Sequence, residues 1–559
     1  MAGYPSNTIQ DLSIKFFELL ALGLSTLVLT PVQWFKIAAF LAMASVPWIM
    51  FLAARNFFFD HDAKDWAAVA ASSLGTIYWW NSLPREMFFY GMIGFPAASY
   101  LSVLGASLLY RLSTSSPRFG WIHIGWLFFA IVILPMHVQM MLPFLALIPA
   151  LLMVRPRHWT QLLLWVFAAA LLSLVANSAW LIPAIKHQAD DASSAIVTQL
   201  PLFAPTSPLT FLLDYIGPQG YWTFRPTFLE KGYRIVLAVL GSLGVWKLIS
   251  GEKRDLGIVL ASVLTVLFLV AYFGSLVPFM KAWQPLRFKV PLDIFLAVAA
   301  AYYVRSWPFS STASTSRFVP PLLGFAAMTF LLNLAQTELS GELLLRSEIS
   351  PEIRRIVDWV AQTTPNEARI LFEESGDETG FVYNGTYLSS FLPHLTGRQL
   401  IGGPINLYND RHHFAEFHSG KMFKKDPQAL SDDELLSYLS LYNIGAVVAF
   451  HPASLKRLQS IPGLVTLDQR VGPIHLMKVH QPLGWFIRGE GKVEAGFNRL
   501  ELSDLKGDEI ILKYHWIEGL TASAATKIEP VKIADDPIPF IKLIRPPPAV
   551  TLRLSAPLF

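Results

Sequence analysis

The 559 residues contain no cysteine, and Asp, Glu, Lys and Arg together make up only 15% of them. The first absence excludes a disulfide framework, thiol catalysis and a cysteine-based metal site. The second excludes an ordinary soluble protein, in which about a quarter of residues carry charge. The opening residues MAGYPSNTIQ also lack the basic and apolar regions of a signal peptide. No HExxH metal motif occurs anywhere. What is plentiful is apolar: 53% of the chain is hydrophobic and its mean hydropathy is +0.43.

The shortage of charge is uneven. Residues 1–337 hold 21 Lys+Arg and 13 Asp+Glu, whereas the shorter stretch 338–559 holds 23 and 27. A membrane part is therefore expected at 1–337 and a water-soluble part after it. The basic excess is confined to the membrane part, where it reports topology and gives no case for nucleic acid. Apolar runs of the length a bilayer demands predict about ten crossings. They lie near 35–54, 66–79, 91–110, 121–135, 138–154, 159–184, 233–249, 255–273, 288–306 and 318–337.

Every second connection is compact and basic: Arg55 and Lys64, Arg111 and Arg118, Arg155 and Arg157, Lys247 with Lys253 and Arg254, Arg305 with Arg317. These loops are expected in the cytoplasm. Residues 338–559 are then extracytoplasmic, and the protein is expected in the cytoplasmic (inner) membrane. Ser13 to Thr30 is apolar but carries Lys15 and Glu18, which fits a helix lying in the outer interface better than one crossing it. An outward start without a signal peptide leads to the expectation that a first transmembrane helix precedes Met1.

In the soluble part, Pro351 to Gln362 places apolar residues at 353, 356, 357, 359 and 360, which is helical spacing. Residues 369–373 and 444–450 read as buried strands, and 431–441 as a helix with acids in its first turn. An α/β domain is expected over 338–481. Short alternating runs from 498 to 554 then predict a small β-sandwich over 482–559, either a structural cap or a sugar-binding module.

Four stretches in fixed order carry a resemblance: Ala2-Gly-Tyr-Pro5, Trp180-Leu-Ile-Pro183, Gln284-Pro-Leu-Arg-Phe288, and Leu392 to Pro404 (LPHLTGRQLIGGP). With this organisation the chain resembles the GT-C superfamily of membrane glycosyltransferases, and within it the bacterial membrane proteins labelled 6-pyruvoyl-tetrahydropterin synthase-related. The resemblance implies transfer of a sugar from a polyprenyl-phosphate donor on the outer face of the membrane, by the inverting GT-C route. It also implies an acidic residue in the first outer loop, as base or as ligand of a divalent cation, the one cofactor left open. In such proteins that acid precedes the segment resembling AGYP. Here the acids near the start are Asp11 and Glu18, and the enzyme reading is conditional on an acid in that place.

Arg287, where an outer loop becomes a helix, is the foremost candidate for the donor phosphate, because a planar guanidinium matches phosphate oxygens. Its rival role is an interfacial anchor. Lys281, Lys289 and Arg85 are further phosphate candidates, and Asp11 and Glu86 the candidate catalytic acids. Asp293 lies within a span, where an acid is costly and marks function by default; a place near the positive end of a helix begun at Pro291 is the alternative. His137 falls at a break between two short apolar stretches. Asp190, Asp191 and Asp214 with Tyr215, Tyr221, Trp222 and Phe224 suit sugar recognition, yet aromatics also gather at any membrane interface. Arg411-His412-His413 lacks the spacing of a metal site, and none is expected.

The expected partners are the polyprenyl-phosphate-linked sugar, a glycan or lipid acceptor and membrane lipids, with envelope glycan assembly as the setting. Two other classes stand beside this one: a non-catalytic GT-C-like scaffold, and a transporter or flippase of lipid-linked substrates. The spans show no inverted repeat that would favour transport.

Overall fold

The computed structural model describes residues 15–25, 29–62, 64–81, 83–89, 92–115, 120–154, 159–187, 209–216, 228–251, 253–305, 349–374, 388–402, 425–496, 499–516 and 519–554, with short pieces at 328, 331–332, 335, 383, 417–418 and 420–423. They form two units, a helical one within 11–345 and a mixed one within 346–559.

The helical unit begins with α1 (Lys15–Ser25), α2 (Pro31–Ala44) and α3 (Val46–Phe57). Thr30 caps α2 through a reciprocal box with Gln33, and Pro31 fills the first turn. The bend of 43° between α2 and α3 follows from Pro47, which has no N–H to offer the turn before it. α4 (Lys64–Asn81), α5 (Leu83–Phe89), α6 (Gly94–Ser115), α7 (Trp121–Met136), α8 (Leu142–Met153) and α9 (Trp159–His187) follow. Between α7 and α8 the chain breaks at His137, which is extended, and restarts with a 3-10 turn, Val138–Met141. The unit continues with α10 (Thr210–Ile216), α11 (Phe228–Ser250), α12 (Arg254–Phe273) and α13 (Lys289–Arg305).

Helices cover nine of the ten expected crossings, and 318–337 lies outside the described residues apart from four positions. Among the described residues, three helices are long and apolar enough to be spans: Leu162–Ile182, Lys231–Ser250 and Arg254–Leu276. The bent α2–α3 pair makes a fourth. α13, at 17 residues, is short for a span, 318–337 lies largely outside the described residues, and two further features lower the count. The break at His137 leaves α7 and α8 short, and α4 and α6 carry many hydroxyls. Ser73, Thr76, Ser99 and Ser102 return those hydroxyls to carbonyls three or four residues earlier in their own helices.

One crossing positions the site. A Cβ on Gly244 would stand 2.0 Å from the Ala299 carbonyl oxygen, and one on Gly241 2.7 Å from the Leu296 side chain. Only glycine at these places lets the backbones of α11 and α13 approach so closely. The start of α13 is thereby held against the first half of α11.

In the second unit, α14 (Pro351–Thr363) is capped by Ser350, as its periodicity suggests. The strands β1 (Arg369–Phe372), β2 (Gln399–Ile401), β5 (Ile444–Ala449), β6 (Val465–Val471) and β7 (Ile474–Val479) form one sheet in the order β2-β1-β5-β7-β6. β3 (Phe417–His418) and β4 (Lys421–Met422) make a separate small hairpin. β1 is parallel to β2 and β5, while β7 is antiparallel to β5 and β6. Leu371, Val447 and Met477 face one core, and Ile370, Phe372 and Val448 the other, as the period of two requires. α15 (Leu388–Thr396), α16 (Asp432–Leu441) and α17 (Pro452–Gln459) complete this layer; Ser431 and Glu434 close a capping box on α16.

The expected β-sandwich of two facing sheets is corrected by the structure. β8 (Phe486–Gly496), β9 (Arg499–His515), β10 (Leu520–Ala522), β11 (Lys527–Val531), β12 (Phe540–Ile544) and β13 (Val550–Leu554) form a single sheet. The reason is the length of β9, whose first residues pair with β13 and whose last residues pair with β12. Leu502 and Leu552 from one arm share an apolar core with Leu512 and Leu543 from the other, so one sheet folds over its own core. Buried Arg369 joins this sheet to the first: it donates to the carbonyls of Tyr442 (3.1 Å) and Lys513 (2.8 Å) and stacks on Trp485 and Tyr514.

Candidate functional site

Four charges are buried together in the helical unit. On α11, Arg234 donates from Nε to Asp293 Oδ2 on α13 at 2.8 Å and pairs through Nη1 with Asp214 Oδ2 on α10 at 2.9 Å. Lys289, the first residue of α13, reaches Asp214 Oδ1 at 2.9 Å. The Tyr272 hydroxyl donates to Asp214 Oδ2 at 2.8 Å, and that of Tyr215 to Asp293 Oδ1 at 3.3 Å. The Tyr215 ring lies 4.5 Å from the Arg234 guanidinium. Two carboxylates and two cations cancel, which is how charge is tolerated among packed helices. Asp293, a functional candidate by position, is wholly buried and spent on Arg234, and Lys289 is spent on Asp214. Arg234 itself went unnoticed in the sequence. The available signal was an arginine just inside the apolar run 233–249.

A second constellation lies at the break between α7 and α8. Gln284, in the left-handed region at φ 51°, starts a 3-10 turn, Pro285–Phe288, which carries Arg287. Pro285 sits close against Gly274 at the end of α12, where a Cβ would come within 3.0 Å of it. Arg287, 9% exposed, donates from Nη1 to His137 Nε2 at 3.0 Å. The guanidinium lies 5.5 Å from the Phe95 ring, and the His137 ring 5.3 Å from it. Thus the structure brings together two of the residues singled out from the sequence, 150 positions apart.

The remaining candidates divide as follows. Arg85 is half-buried on α5. Glu86 and Lys281 belong to described helical turns, but their side chains lie outside the described residues. Asp11 and Glu18's side chain lie outside them too, as do Asp190, Asp191, Tyr221, Trp222, Phe224 and Arg411-His412-His413. Among the described residues no group of three His, Asp or Glu could hold a metal ion. Asp214 and Asp293 are already matched by cations, a poor donor set for a divalent ion, so no step is assigned to one.

In the mixed unit a cleft of about 880 Å³ is lined by Glu367, Trp485, Lys492, Glu494, Glu501 and Ser503, among others. Three carboxylates against one lysine make it ill suited to a phosphate. Buried Glu373 is satisfied differently from the acids of the helical unit. It accepts from the N–H groups of Phe450 and His451 and from the Ser454 hydroxyl at the start of α17. Burial still pushes its carboxyl above the ordinary range, outweighing those bonds.

Solved structures share this fold. ArnT from Cupriavidus metallidurans in the apo state is similar with a TM-score of 0.51 and 13% identity, over 85% of this chain and 90% of that one. The same protein bound to undecaprenyl phosphate is similar with a TM-score of 0.52 and 13% identity, over 83% and 87%. No protein-family model and no curated protein matches the sequence. The chain thus shares the fold of these ArnT structures, with a helical region of several apolar helices followed by a β-rich region.

Proposed function

We propose that this ArnT-like chain is an integral membrane glycosyltransferase that takes a sugar from a polyprenyl-phosphate donor, and that Arg287 holds the donor's phosphate. The observation that carries the reading is the fold shared over most of both chains with a protein that, in one structure, binds undecaprenyl phosphate. Arg287 supports it chemically. Its guanidinium donates to the His137 imidazole and lies near the Phe95 ring, and forked donors of this kind suit the oxygens of a leaving phosphate.

In the reaction proposed, an acceptor hydroxyl oxygen attacks the anomeric carbon and the bond from that carbon to the phosphate oxygen breaks. The electron pair leaves with the polyprenyl phosphate, which Arg287 stabilises, and the hydroxyl proton passes to a carboxylate. Asp11 and Glu86 are the candidates for that base. Inversion at the anomeric carbon, the outer face of the cytoplasmic membrane, envelope glycan assembly and kinship with the 6-pyruvoyl-tetrahydropterin synthase-related membrane proteins belong to the same proposal. One observation favours a second reading, a non-catalytic scaffold. The two fully described acids in the core of the helical unit, Asp214 and Asp293, are both engaged by cations and neither is available as a base.

Binding of undecaprenyl phosphate to the full chain in nanodiscs, followed by native mass spectrometry, tests the donor site. Arg287→Ala should weaken it about 10- to 100-fold, the range for losing a charge-assisted hydrogen bond. Unchanged binding would sink the role of Arg287. Formation of a glycoside from an undecaprenyl-phosphate sugar by the wild type separates the enzyme from the scaffold, which binds the lipid and forms no bond.

A further inference from the structure

The hydrogen bond between Arg287 and His137 determines where the histidine carries its proton. A guanidinium has donors and no acceptor. With Nη1 at 3.0 Å, Nε2 of His137 must therefore accept, and the imidazole is the neutral tautomer protonated on Nδ1. That Nδ1 is buried, on a residue only 1% exposed, and meets no acceptor among the described residues. Buried N–H groups without an acceptor are rare because the loss of hydration goes uncompensated.

The two segments that meet here carry the same signature. Gln139, two residues beyond His137, and Gln284, three residues before Arg287, each have a buried amide oxygen without a donor among the described residues. None of the three orphaned atoms is needed by the charge cluster around Arg234, whose members satisfy one another. A cation, a neutral N–H donor and two amide acceptors thus lie on the two segments that the Arg287–His137 hydrogen bond joins. Such a set matches a head group that accepts hydrogen bonds through phosphate oxygens and donates them through hydroxyls.

We infer that His137 is a second, uncharged donor to the donor lipid's phosphate, presenting Nδ1–H to one oxygen while Arg287 engages another. The inference rests on the reading of Arg287 above. His137 is a positioning residue: it fixes the guanidinium through Nε2 and the phosphate through Nδ1, and it carries no proton away.

Amide variants separate the two nitrogens. In the full chain in nanodiscs, His137→Gln keeps an acceptor near the place of Nε2 and offers nothing at Nδ1, whereas His137→Asn keeps a donor near Nδ1. With undecaprenyl phosphate as the probe, the Gln variant should bind about tenfold more weakly than the wild type, and the Asn variant, which loses the Nε2 acceptor but keeps the donor, less weakly than the Gln variant. Wild-type affinity in His137→Gln overturns the inference. If Arg287→Ala also binds like the wild type, the underlying donor-site reading fails with it; if only Arg287→Ala is impaired, that reading survives alone.

A measurement on the unmutated protein avoids any question of misfolding. The 15N resonance of His137 Nδ1 should shift when undecaprenyl phosphate is added. A resonance that ignores the lipid means that a buried water alone meets Nδ1, and overturns the proposal. So does an equal shift with inorganic phosphate or with phosphatidylglycerol nanodiscs lacking the polyprenyl lipid.

Discussion

The helical and mixed units bury charge by different means. In the first, Arg234, Lys289, Asp214 and Asp293 answer charge with charge. In the second, Arg369 gives its hydrogens to a glutamine and two main-chain carbonyls, and Glu373 takes two main-chain N–H groups and a hydroxyl. Packed helices consume nearly all their own main-chain donors and acceptors, so a buried side-chain charge finds mainly other side chains. Strand ends and helix termini leave such groups over, and Arg369 and Glu373 use them, although buried Arg457 in the same unit pairs with Asp432. Arg287 shows a further kind of partner, a neutral imidazole.

The sharpest way to break this comparison is to remove one acid. Asp293→Ala leaves Arg234 buried beside a cavity and should cost about 3–5 kcal/mol, the usual loss when one member of a buried pair goes. Thermal unfolding of the full chain in nanodiscs reads it. Adding Arg234→Met should recover part of the loss, because Lys289 and Tyr272 still hold Asp214. No recovery would mean that packing, and not charge pairing, explains the cluster.

A smaller effect is expected in the mixed unit. Arg369→Met abandons the carbonyls of Tyr442 and Lys513 but also removes a buried charge, for a net loss of about 1–3 kcal/mol. Hydrogen exchange in β1 and β9 should report it locally. A loss as large as that of Asp293→Ala would erase the distinction between the two units.

The smallest effect is a pH slope. Because the Glu373 carboxyl titrates above its ordinary value of 4.5 when folded, the native state holds its proton more tightly than the unfolded chain. The stability this contributes is complete below the ordinary value and is lost as pH rises through the raised one. The difference in melting temperature between the wild type and Glu373→Gln should accordingly drift against the wild type as pH rises across that window. A drift in the other direction would show that the main-chain donors outweigh burial.

Much of the architecture was legible in short stretches. The 3.6 period of 351–362, the acids in the first turn of 431–441, and the buried runs at 369–373 and 444–450 all became the elements they suggested. The break at Pro135-Met136-His137 was readable as well. The folded single sheet was not, since nothing local to 499–515 says that the strand will run through two arms. Arg287 stood out by its place at a loop-to-helix junction, while Arg234 stayed hidden because a lone arginine at the edge of an apolar run resembles an interfacial anchor.

By itself, then, the sequence determined the division into an apolar helical part and a more charged part of mixed structure, the sites of most helices and strands, and the residues whose charge needed explaining. Composition and periodicity act over one or two turns, and those features are set at that range. Only the tertiary structure decided which charged side chains meet. Asp293 meets Arg234 across 59 positions and His137 meets Arg287 across 150. Pairings at such separations depend on how helices cross, as at Gly241 and Gly244, where the close approach of α11 and α13 is a property of the packed backbones and of no single segment.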